Sequence, residues 1–214
     1  MKGLLKNNFF SVLANAKVFS IFMLISGAFV TAVVSQSLLI GYVMIGIVGF
    51  SLNAAAVAKN EFISKWGKYK LTLPVKRADI IKSLFLNHIF WLLIGTAFAG
   101  TVTGLSWLLH GCPFDIPVDT LSMFVLGIST SLFAGAIFFP LFYLGGVERN
   151  EVFLVIALVC SFGIDLVIIT VINDLAEPGS TSLLTGLAVL SASSLLAFAL
   201  SYPLTLFIFR RKEY

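Results

Sequence analysis

The sequence predicts an all-α polytopic membrane protein with six transmembrane helices and both termini on the cytoplasmic side. Three observations carry that prediction. Hydrophobic residues make up 59% of the 214 positions and charged residues only 11%, against roughly 25% charged in an ordinary globular chain. The apolar residues gather into six long runs, and every basic residue lies in alternate connections between them. Mean hydropathy is +1.04, which excludes a soluble domain, a disordered chain and a disulfide scaffold.

A hydrocarbon layer ~30 Å thick takes ~20 apolar residues at the helical rise. The runs are Val18–Val34, Leu39–Val57, Ser83–Leu109, Leu121–Gly145, Val152–Ile172 and Ser182–Phe209. None alternates polar and apolar residues as a barrel strand does, so helices are expected. The third and sixth exceed the minimum length and have room to tilt, kink or extend past the membrane. Residues 1–214 read as a single transmembrane domain.

Lys and Arg number 14 in all. They lie before the first run, in the 59–82 connection, at Arg149 and in the C-terminal tail. The other three connections contain none, but hold Asp115, Asp119, Asp174 and Glu177. Basic residues mark cytoplasmic loops, so both ends are expected inside. Placed this way, the formal net charge of +4 reflects topology and no nucleic-acid partner. A retained helix is expected for the first run rather than a cleaved signal, because no convincing small-residue cleavage site follows it.

Two cytoplasmic segments stand out. Residues 1–17 read as an amphipathic helix in the membrane interface, with Leu5, Phe9, Val12 and Leu13 near one face; a charged tail that only sets topology is the plainer reading. In the 59–76 region, Phe62, Trp66, Tyr69 and Leu73 recur at helical spacing. Asn60 could cap a short helix there, with Glu61 in its first turn, and Pro74 would end it. That helix either rests at the headgroup boundary or docks an aromatic face into a cytoplasmic partner.

Catalytic patterns are missing. His88 and His110 lie at opposite ends of the third run, too far apart to share a metal. Gly67-Lys68 is followed by Tyr69 and preceded by Phe62 where a phosphate loop needs Gly. The chain reads as no enzyme, without a cofactor of its own. Asp165 falls inside the fifth run, where an ionised carboxylate costs about 2.5–3.5 kcal/mol on insertion scales. It marks either a translocation path or a helix-packing acid. Asn53, Asn87 and His88 lie toward cytoplasmic helix ends, and headgroup-level packing is the plainer expectation for His88. Gly100–Gly104 and Gly127–Ser131–Gly135 repeat at four-residue spacing, which favours close packing within the bundle, with a subunit interface as the alternative. Cys112 and Cys160 are expected free, being separated in depth.

The string Glu61, Trp66, Tyr69, Leu71-Thr72-Leu73-Pro74-Val75, Arg77 and Ile80-Ile81-Lys82 resembles a group of small six-span permeases in the type-2 ABC exporter superfamily. Phe139-Pro140-Leu141-Phe142-Tyr143 with Gly146-Val147-Glu148-Arg149, and the start Met1-Lys2-Gly3-Leu4-Leu5-Lys6, are similar as well. The best-known relatives in the group export phenol-soluble modulins, which are amphipathic peptides. The resemblance implies that residues 1–17 form an elbow helix and that Asn60–Leu73 is a coupling helix. Glu61, Phe62, Trp66, Tyr69, Leu73, Pro74 and Arg77 would then dock a separate cytoplasmic ABC ATPase that binds ATP and Mg, with Glu148 and Arg149 as a second contact. It also implies a second permease copy, as homo- or heterodimer, and an amphipathic peptide or lipid-like substrate. The external 173–181 loop is too short for the long re-entrant hairpin of larger relatives. Two other function classes remain: the substrate-binding membrane subunit of a vitamin importer, and an immunity or sensor protein that transports nothing.

Overall fold

The computed structural model describes residues 2–33, 35–63, 76–111, 117–175 and 180–211. Among the described residues six long helices follow one another: α1 (Lys2–Val33), α2 (Gln36–Ile63), α3 (Arg77–His110), α4 (Pro117–Gly145), α5 (Asn150–Leu175) and α6 (Ser180–Arg211). A short 3₁₀ turn, Val147–Arg149, joins α4 to α5. All six are long and apolar enough to cross a membrane. Among the described residues there is no strand.

Two boundaries differ from expectation. α1 is continuous from Lys2 to Val33, so no break at Lys17 separates an in-plane elbow from the span. Its first half packs inward through Leu4, Asn8, Val12 and Ala16, one residue per turn, all buried. Leu5, Phe9 and Leu13, expected to form the apolar face, flank that stripe half-buried. The polar Asn8 sits in it because its amide donates to Ser83 Oγ on α3 at 3.1 Å. α2 likewise runs on to Ile63. Asn60, Glu61 and Phe62 therefore lie inside this helix, and Asn60 is not the cap of a new one. Residues 64–75, which carry Trp66, Tyr69, Leu73 and Pro74, lie outside the described residues.

The helix ends follow local chemistry. Gly111 and Gly146 hold φ values of 80° and 81°, which an L side chain rarely adopts. Each donates its N–H to the carbonyl four residues back, Trp107 and Phe142 respectively, at 3.0 Å, which stops α3 and α4. Pro140 lies within α4. It has no N–H to give Ala136, four residues earlier. The Ser201 hydroxyl of α6 donates to that Ala136 carbonyl instead, at 2.7 Å. A proline thus turns a spare carbonyl into a link between helices, a repair that hydrocarbon surroundings make necessary.

α1, α2 and α3 pack together, as do α4, α5 and α6, and the two groups meet chiefly where α2 lies against α4. The membrane-crossing windows of α2 and α4 are 56% and 61% buried, against 17% to 33% for the other four. Those two are the interior helices, and the rest surround them. α2 and α3 approach closely at Gly95, where an added Cβ would come within 2.9 Å of the Gly46 carbonyl oxygen.

Two aromatic clusters link the helices, one within the first group and one between the two groups. Trp91 of α3 stacks between Phe9 of α1 and Phe50 of α2, with interplanar angles of 15° and 5°. Phe85 of α3 meets Phe139 of α4 and both Phe198 and Tyr202 of α6 within 5.6 Å. Stacked and edge-on aromatic pairs stabilise by about 0.5–1.5 kcal/mol each beyond the area they bury.

Candidate functional site

The interior is tied at one level by three consecutive hydroxyl residues of α4: Ser129, Thr130 and Ser131, none of which is exposed. Successive helical residues point about 100° apart, so three in a row fan toward different neighbours. Ser129 Oγ lies 3.4 Å from Ser194 Oγ of α6, whose one hydrogen also has the Ser191 carbonyl at 2.9 Å. Thr130 Oγ1 lies 2.6 Å from Asp165 Oδ2 of α5. Ser131 Oγ donates to Ser51 Oγ of α2 at 2.6 Å, and Ser51 in turn donates to the Val48 carbonyl. The Ser131 carbonyl is 3.2 Å from His88 Nε2 of α3.

His88 is therefore sealed inside the bundle, 1% exposed. A carbonyl only accepts, so the ring carries its hydrogen on Nε2 toward Ser131. Its Nδ1 is buried without a partner. The ring lies beside Phe198 at 5.4 Å and against Gly135, where an added Cβ would stand 2.8 Å from Nε2. Gly127 is similarly filled by Ile47. The 127–131–135 pattern thus packs within the bundle. Gly100 and Gly104 do not: an added Cβ at either meets nothing within 4 Å.

Asp165 is 4% exposed and sits between α5 and α4. Thr130 Oγ1 is also 2.8 Å from the Leu126 carbonyl, and its single hydrogen serves one oxygen at a time. When Leu126 receives it, the second contact takes its hydrogen from the carboxyl group. Asp165 Oδ1 is buried and unpartnered.

The expected cytoplasmic contacts are only partly brought together. Arg77 opens α3, and its guanidinium donates to the Arg210 carbonyl at the end of α6, at 3.4 Å. Glu148 and Arg149 are exposed on the 3₁₀ turn. The preceding Phe139, Phe142 and Tyr143 are core residues, each at most 4% exposed. Cys160 is free and exposed on α5. Sequence reasoning missed Asn8, Ser51, Thr130 and Ser194, since small polar side chains in apolar helices give no signal of which neighbour they face.

The family model described as ABC-2 family transporter protein matches residues 3–210, nearly the whole chain and all six helices. The chain belongs to the ABC-2 transporter family. No curated protein and no solved structure matches it. As an ABC-2 protein it is a multi-pass membrane subunit of an ABC transporter, in bacteria of the plasma membrane, and its general partner is an ABC ATPase. In this ABC-2 subunit the hydroxyl fan on α4 ties the central helix to its neighbours.

Proposed function

We propose that this ABC-2 subunit is the membrane half of a bacterial exporter of amphipathic peptides or lipid-like molecules, driven by a separate ATPase subunit that binds ATP and Mg. It works with a second permease copy, and both termini face the cytoplasm. The observation that carries this is the family match across all six helices. That match favours a transporter over the vitamin-capturing subunit and over the sensor. The amphipathic cargo rests on the likeness of the 61–82 and 139–149 strings to the modulin exporter group. The 59–76 connection serves as the coupling region: ATP-driven closure of the ATPase would push on it, and continuous α2 would carry the push into the bundle. Arg77, linked to the end of α6, gives the same push a second route.

Asp165 has two roles open to it, and its burial against Thr130 supports the tie between α4 and α5. A cargo contact would require those helices to part.

Truncating a buried aromatic anchor costs about 2 kcal/mol or more in binding. Trp66→Ala and Tyr69→Ala are each expected to reduce co-purification of the ATPase about tenfold or more, with membrane insertion unchanged. Full recovery of the complex from both variants would remove the coupling assignment.

A further inference from the structure

A groove of about 500 Å³ runs between the first turns of α1 and the N-terminal half of α3. It is lined by Leu5, Lys6 and Phe9 on one side and by Asn87, Phe90 and Leu93 among others on the opposite side. Its volume falls in the ~300–1,000 Å³ range of small-molecule sites. Nothing in the hydroxyl fan or the coupling region uses it.

Three features give it a direction. On α3, Lys82, Leu86, Ile89, Phe90 and Leu93 share one face by helical spacing, and all five are exposed. Lys6 of α1 is part of the lining, Lys82 lies one helical turn before the lining residue Leu86, and both lysines are exposed and hold no ion pair among the described residues. Asn87, also in the lining, is 3% exposed, and its amide nitrogen is buried with no hydrogen-bond partner. A surface meant only for bulk acyl chains gains nothing from a stranded amide, which costs free energy until an acceptor reaches it. The order along α3 is cation, amide donor, then hydrocarbon wall, over ~16 Å from Lys82 to Leu93 at ~1.5 Å per residue. A glycerophospholipid presents phosphate, ester and acyl chain in that same order.

We propose that this groove is a binding site for one anionic phospholipid. The phosphate pairs with Lys6 and Lys82, an ester oxygen accepts from Asn87, and an acyl chain lies along Ile89, Phe90 and Leu93. The site goes beyond the transport reading and does not depend on it. An anionic lipid held there would fix the first turns of α1 against α3, next to the Asn8–Ser83 bond.

The test is native mass spectrometry of the purified full-length chain, titrated with phosphatidylglycerol or phosphatidylcholine. One retained phosphatidylglycerol is expected, preferred about tenfold or more over phosphatidylcholine. Lys6→Gln and Lys82→Gln should each cut that preference about fivefold, the effect of one lysine on an anionic lipid. Asn87→Leu should weaken retention of both lipids, and Lys17→Gln, an exposed change outside the groove, should alter neither. Equal retention of the two lipids by the wild-type chain would overturn the proposal. So would an undiminished preference in the Lys6→Gln/Lys82→Gln double variant, whose surface changes leave folding intact. Displacement of the lipid by a cationic amphipathic peptide at equal concentration would reassign the groove to cargo.

Discussion

Asp165 and Thr130 show how a single polar residue is accommodated in hydrocarbon. The carboxyl has one partner, and that partner retains a carbonyl of its own helix as an alternative. The pair is therefore asymmetric to mutation. Thr130→Val strands a buried carboxyl, and leaving such a group unpartnered costs about 1–3 kcal/mol. Thr130→Val/Asp165→Leu removes both polar groups and should recover most of the loss. Asp165→Asn can still donate to Thr130 and should keep near-wild-type thermal stability, with peptide-stimulated ATPase activity retained in the assembled transporter. Thermal unfolding in detergent reads the first three variants, and reconstituted ATPase assays the last. If Asp165→Asn abolished stimulation while assembly and basal activity survived, the carboxylate would belong to the cargo path. His88 is a second case. From sequence it resembles any histidine near a helix end, and only the packing of Gly135 and Phe198 around it shows why its ring sits deep in the bundle.

Between elements, the glycines sort by what they face. At Gly95 a methyl group would meet the Gly46 carbonyl oxygen, Phe50 Cβ and Ile47 Cα at 2.9 to 3.1 Å, so α2 and α3 would have to move apart. Overpacking of this kind costs about 1–3 kcal/mol. Gly95→Ala should lower the thermal midpoint measurably, whereas Gly100→Ala, into open space, should leave it unchanged or raise it. Equal effects at the two positions would mean that α2 and α3 do not cross closely at Gly95. The four-residue glycine spacing was visible in both helices, but it says nothing about which copy of the pattern meets a neighbour. The same limit applies to the α1 stripe. Leu5, Phe9, Val12 and Leu13 marked an apolar face, and of these only Val12 lies in the inward row of Leu4, Asn8, Val12 and Ala16, where Asn8 meets Ser83.

For the whole molecule, orientation is the property to test. With basic residues confined to alternate connections, an impermeant thiol reagent on intact cells should label Cys112. It should miss a cysteine introduced as Lys68→Cys in a Cys112→Ser background. Cys160, exposed on the apolar face of α5, is best replaced by Ser in both. The reverse labelling pattern would invert the topology.

Sequence alone determined the number, order and approximate extent of the six spans, because the hydrocarbon layer sets length and apolarity residue by residue. It also marked the carboxyl in the fifth span, whose insertion cost stands out in any apolar run. Tertiary structure decided which helices are interior and which residues meet. A soluble helix shows its buried side by amphipathic periodicity, but a membrane helix is apolar all round, so lipid-facing and protein-facing sides look alike. The sequence could not reveal that Ser129, Thr130 and Ser131 reach four different helices, or that Ser201 satisfies the carbonyl freed by Pro140. Those links depend on where neighbouring helices lie, and that is set by long-range packing around α4.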